Sequence, residues 1–135
     1  MSDAGPHGPQ LEADEDLYRA ITVPDWWDLD ANPPRVRSFA FKVDSPFSVN
    51  QASRMTLSEA VDHMQNRLHC ADGGIVRFNC GKAREQDFDA RDEPDPEHLE
   101  NRAHAHVYYT GTSSQRKRKA KRLAECCRTV HEPGF

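Results

Sequence analysis

The chain has 135 residues, 36% of them hydrophobic and 30% charged, a balance that suits one domain with a thin core. Its formal net charge of −4 hides a segregation: residues 1–30 set eight acids against Arg19, residues 85–100 set eight acids against Arg91, and residues 116–128 set seven bases against Glu125. No apolar run is long enough to span a membrane and no charged-then-apolar start marks a secretory signal. A cytoplasmic protein with reduced thiols at Cys70, Cys80, Cys126 and Cys127 is therefore expected.

In chain order, residues 1–15 read as a flexible leader, 16–130 as a single α+β domain of about four short strands and two helices, and 131–135 as a tail. The domain opens on an extended run from Asp16 to Val23, stopped by Pro24. Trp26 and Trp27 follow in an irregular loop and point opposite ways, one toward the core and one near the surface. Val36 to Val43, with Phe39 and Phe41 alternating, reads as a second extended segment, Asp44 to Pro46 as a turn, and Phe47 to Val49 as another extended piece. Thr56 and Glu59 form a capping box for a helix whose apolar stripe is Leu57, Ala60, Val61, Met64 and Leu68. Gly74 to Cys80 alternates as a strand, with Ile75, Arg77 and Asn79 opposite Val76, Phe78 and Cys80. Glu85 to Glu100, with its acids and two prolines, reads as a solvated loop.

The most informative stretch runs from Asn101 to Cys127. Ala103, Ala105, Val107 and Tyr109 share one strand face, and His104, His106, Tyr108 and Thr110 share the other. A pair of imidazoles at this spacing suits metal binding or acid–base chemistry, but no nearby spacing completes a metal site, and covering a half-exposed sheet face is the plainer expectation. Neither a metal nor a cofactor is expected. After Gly111 come the hydroxyls of Ser113 and Ser114 and then Arg116, Lys117, Arg118, Lys119, Lys121 and Arg122. Cations here oppose the helix macrodipole, which makes sense if an anion sits with them. Ala120, Leu123, Ala124 and Cys127 give this helix, over residues 115–127, a narrow buried stripe. The acidic segments are candidates to cover it.

Taken together, Leu17-Tyr18-Arg19, Ser38-Phe39-Ala40-Phe41, Phe47-Ser48-Val49, Gly74-Ile75-Val76, Asp95-Pro96 and Asn101 to Val107 resemble a group of short uncharacterised bacterial proteins. The resemblance runs from about Leu17 to Ala124. It implies a bacterial cytoplasm, with a defence or mobile-element setting as the associated expectation, and no activity to carry over. A second resemblance is to NAD-binding proteins of ADP-ribosyltransferase-like fold, which often place an Arg on an early strand and a Ser on a later one. Arg19 and either Ser38 or Ser48 match those two parts. The paired-Glu motif of such enzymes has no counterpart on a strand here, since Glu97 and Glu100 stand in the acidic stretch. The leading expectation is a binding protein whose basic helix engages nucleic acid, a phosphate-bearing ligand or an acidic protein. The competing one is a small nucleotide-handling enzyme using Arg19, Ser48, His104 and His106, and their convergence in one cleft is the feature that separates the two.

Overall fold

The computed structural model describes residues 7–42 and 46–135. The expected turn at Asp44 and Ser45 lies outside them. The strands are β1 (Asp16–Ile21), β2 (Trp27–Asp28), β3 (Arg35–Val36), β4 (Phe47–Gln51), β5 (Gly74–Asn79), β6 (Phe88–Asp92), β7 (His104–Tyr109) and β8 (Arg128–His131). The helices are α1 (Leu57–Asn66), α2 (Cys80–Glu85) and α3 (Arg116–Cys126). Six strands make one sheet in the order β6-β7-β4-β1-β5-β8, rather than the four expected, and every neighbouring pair is antiparallel. β2 and β3 form a separate two-stranded ribbon.

Period-two alternation decides what each sheet face buries. Leu17 and Ile21 of β1, Phe47 and Val49 of β4, Val76 and Phe78 of β5, and Ala105 and Val107 of β7 meet Ala83 of α2 and Ala120 and Leu123 of α3 in the main core. Trp27 and Phe41 complete it; both are almost fully buried, and each such side chain contributes on the order of 1.5–3 kcal/mol. Trp26 stays half-buried, as the alternation of the pair foretold. The opposite face is covered only in part. There α1 lays Ala60 and Met64 on Tyr18 and Ile75, and its start is fixed by the reciprocal Thr56–Glu59 capping box.

Three segments depart from the sequence reading. Ser38–Phe41 is a 3-10 turn, not an extended segment, so Phe41 is buried while Phe39 is exposed. Phe88–Asp92 forms an edge strand inside the stretch expected to be a solvated loop; Asp89 is buried because Arg91 and Gln10 bond its two oxygens. Residues 7–15, expected to be unpacked, lie partly along that strand: the Leu11 N–H bonds the Ala90 carbonyl at 3.0 Å and the Asp92 N–H bonds the Pro9 carbonyl at 2.8 Å.

Candidate active site

The central pair of strands stays together only briefly. β1 and β4 pair at Leu17–Gln51 and Tyr18–Asn50 and then part. Arg19 fills the gap. Its Nε and Nη2 donate to the Ala40 carbonyl at 3.1 and 2.8 Å, and its Nη1 donates to the Ser48 carbonyl at 2.9 Å. The guanidinium lies 4.5 Å from the Phe47 ring centroid and 5.9 Å from that of Trp26, within the range where a cation gains from an aromatic face. The 3-10 turn matters here, because it is what aims the Ala40 carbonyl at Arg19.

On the sheet face away from the main core, Ser48 and His104 meet. Ser48 sits opposite His106 in the β4–β7 register, yet its hydroxyl reaches diagonally to His104 Nε2 at 3.0 Å. His104 Nδ1 lies 2.7 Å from the Glu93 carbonyl. A carbonyl only accepts, so Nδ1 carries the proton; in the neutral ring Nε2 then accepts from the Ser48 hydroxyl. Burial holds the His104 pKa below its ordinary value, and the neighbouring His106 adds to this, against the Glu93 hydrogen bond that pulls the other way. The result is a neutral imidazole of fixed tautomer bonded to an exposed serine hydroxyl, an arrangement that can take a proton from a nucleophile.

His106 is held apart from this pair. Its Nδ1 lies 3.1 Å from Glu93 Oε1, and the Tyr108 hydroxyl donates to the same oxygen at 2.6 Å. Burial pushes the Glu93 carboxyl up, but the hydrogen bonds from Tyr108, the Gly8 N–H and His106 outweigh it and hold the group below its usual range. The Tyr108 phenol is pushed up to about 12 by burial and by that carboxylate. His104 is thus buried, not part of a half-exposed face: the Glu93 carbonyl bonds it, and Asp95, Glu97 and His98 of the 93–101 strap line the same cavity. This strap is tied at one end by Glu93 and at the other by the Asn101 amide, which donates to the Asn50 side chain at 2.7 Å.

Arg19, Ser48 and His104 all line one cavity of about 450 Å³, together with Trp26, Asn50 and Asp95. His63 and His98 also border it, edge to face at 5.5 Å between ring centroids. Burial and the proximity of His98 lower the His63 pKa. Sequence reading singled out Arg19, Ser48, His104 and His106, of which His106 does not line this cavity; it missed Glu93, whose contribution to His104 is a backbone carbonyl and leaves no trace in residue type. Ser38, the alternative to Ser48, opens the 3-10 turn and lies outside this cavity.

The basic helix is organised differently from expectation. α3 starts at Arg116 with Gln115 at its N-cap and no side-chain cap, because Ser113 and Ser114 belong to a preceding 3-10 turn. Two of its cations face inward: Arg116 lies over the Tyr109 ring at 5.5 Å, and Lys119 pairs with Asp87 at 3.4 Å. Lys117, Arg118, Lys121 and Arg122 remain exposed. The acidic stretch does not blanket them; Asp89 and Asp92 pair with Arg91 and Arg54.

Cys70 and Cys80 pack on opposite faces of the sheet, and among the described residues no group of three or more His, Cys, Asp or Glu could hold a metal ion. No helix among the described residues is long and apolar enough to cross a membrane. Comparison with protein-family models, curated proteins and solved structures returns no match.

Proposed function

We propose that the chain is a small nucleotide-handling enzyme of ADP-ribosyltransferase-like type that takes NAD in the cavity beside the parted strands. The observation that carries this reading is a single run of bonds through Ser48: Arg19 holds its carbonyl, His104 meets its hydroxyl, and the Glu93 carbonyl fixes the imidazole. Arg19 borders the cavity as a buried cation whose N–H groups are bonded to the Ala40 and Ser48 carbonyls, so it favours a pyrophosphate through its charge and not by direct contact, and Trp26 offers a ring for stacking. The titrating group on the late strand is His104, where enzymes of this type use a glutamate.

In this mechanism a water or substrate hydroxyl attacks the ribosyl carbon attached to nicotinamide. The carbon–nitrogen bond breaks and nicotinamide leaves neutral with the bonding pair; the attacking group passes its proton to the Ser48 oxygen as the Ser48 hydroxyl proton moves to His104 Nε2. General-base assistance of this kind is worth about 10²–10⁴-fold. Purified protein given NAD is expected to release nicotinamide, and Ser48→Ala and His104→Gln are each expected to slow release by about 100-fold or more. Because Ser48 is exposed, its variant should keep the wild-type melting temperature. Absence of both NAD binding and nicotinamide release in the wild-type protein would overturn the reading.

The exposed side of α3 favours a second reading, an accessory protein that engages an anionic partner through Lys117, Arg118, Lys121 and Arg122. Under it, replacing Lys117 and Arg118 with Gln abolishes partner binding and leaves the fold unchanged.

A further inference from the structure

The cavity at Ser48 and His104 is the first of three depressions that share walls. Trp26 lines both it and a second one of about 630 Å³. Arg37 and Phe39 line both that second depression and a third of about 740 Å³, set between the 3-10 turn, the C-terminal half of α3 and β8. The third carries Arg35, Arg37, Lys121 and Arg128 against one acid, Glu125. Phe39 stands at the join, 47% exposed despite being a large apolar ring, with the Lys42 ammonium 4.6 Å from its centroid. In a chain of net negative charge this is a local concentration of cations around an exposed aromatic face. The middle depression is more balanced, since Asp25 and Asp30 offset Arg37, so the third one is the anchor.

We infer that this track binds single-stranded nucleic acid, with phosphates on Arg35, Lys121 and Arg128, a base stacked on Phe39, and the strand running past Trp26 toward Ser48 and His104. Aromatic faces spaced between cations suit single strands, because every base has a face to stack and every linkage a charge to neutralise. A folded acidic protein would use the cations and leave the rings idle. The delivery of the strand to a reacting centre rests on the reading of the cavity as an active site; the binding itself does not.

The test is fluorescence anisotropy of a labelled short oligonucleotide, poly-dT or poly-U, with the full chain. With three phosphates neutralised, a fourfold rise in salt is expected to lower affinity roughly twentyfold. Phe39→Ala and the pair Arg35→Gln with Arg128→Gln are each expected to weaken binding about tenfold or more. Lys117→Gln with Arg118→Gln, on the outer side of α3, is expected to change it no more than a few-fold. No binding at low salt, wild-type affinity in Phe39→Ala, or loss confined to the outer α3 variant would each overturn the inference. Equal competition by polyglutamate would do the same and mark an acidic-protein surface instead. Ser48→Ala separates the two claims: it should bind the oligonucleotide as wild type does while losing nicotinamide release. Wild-type protein that releases nicotinamide but binds no strand retains its proposed activity and loses only this site.

Discussion

His104 shows how one residue's environment sets both its chemistry and its cost. The ring is kept neutral by burial and its Nδ1 proton is committed to the Glu93 carbonyl. A histidine whose pKa is lower in the folded than in the unfolded state binds more protons when unfolded, so stability falls as pH drops below about 6.5 and levels off below the folded pKa. Glu93, whose pKa is also lowered, adds its loss only further into acid, below about 4.3. Urea unfolding between pH 7 and 5 should therefore show a steeper acid loss for wild type than for His104→Gln; parallel curves would rule out a buried neutral imidazole. His63 carries a shift of the same sign, set mainly by burial and His98, which both proteins keep; losing the smaller contribution of His104 reduces it in the variant and so changes the comparison in the same direction. At this scale the sequence named Arg19 and Ser48 through a resemblance and His104 and His106 from their shared strand face. What it could not convey was their contact, since Ser48 and His104 are 56 residues apart and meet on a diagonal across two strands.

Two helices of similar length illustrate opposite solutions at their N-termini. α1 satisfies its first N–H groups with the Thr56–Glu59 box, whereas α3 has no side-chain cap and begins with four consecutive cations. Thr56→Ala should cost about 1 kcal/mol. Lys117→Glu, by relieving the opposition between charge and macrodipole, should instead gain a few tenths of a kcal/mol. Chemical denaturation of both variants checks the pair, and a destabilised Lys117→Glu would contradict the account of α3. Elements with strong local signals were legible for the same physical reasons: the capping box placed α1, and clean alternation placed β5 and β7. Elements that depend on a partner were not. Phe88–Asp92 carries three charges in five residues, tolerable because it is an outer strand whose polar side chains pair locally. Ser38–Phe41 shows aromatic alternation yet folds as a tight turn, and the partner that holds its Ala40 carbonyl, Arg19, is 21 residues away in the chain.

Across the molecule, the sheet's two faces divide the labour. One is sealed by α2, α3, Trp27 and Phe41 and supplies the core; the other is roofed by α1 over β1 and β5, and elsewhere carries the polar side chains of β4 and β7 beneath the strap. The gap between β1 and β4 is tolerated at the centre of the sheet because Arg19 bonds the Ser48 carbonyl, which a continuous ladder would have satisfied. None of this was visible in hydrophobic periodicity, which reports faces and not where a ladder opens.

The run of residues 8–11 along β6 carries a consequence for solubility. β6 is the last strand on its side of the sheet, and an uncovered last strand offers unpaired amides and carbonyls to any other chain that can extend alongside it. Leu11 and Pro9 occupy such groups, the Ala90 carbonyl and the Asp92 N–H, and Gly8 is held by side chains, the Arg91 guanidinium bonding its carbonyl at 3.3 Å and the Glu93 carboxylate accepting from its N–H at 2.7 Å. The segment is in effect a built-in guard against self-association. A chain lacking residues 1–11 should still fold around the same core but elute as concentration-dependent oligomers in size-exclusion chromatography, where the full chain does not. Adding back a synthetic peptide of residues 7–13 should restore the smaller species, since the docking surface for it is the vacated flank of β6.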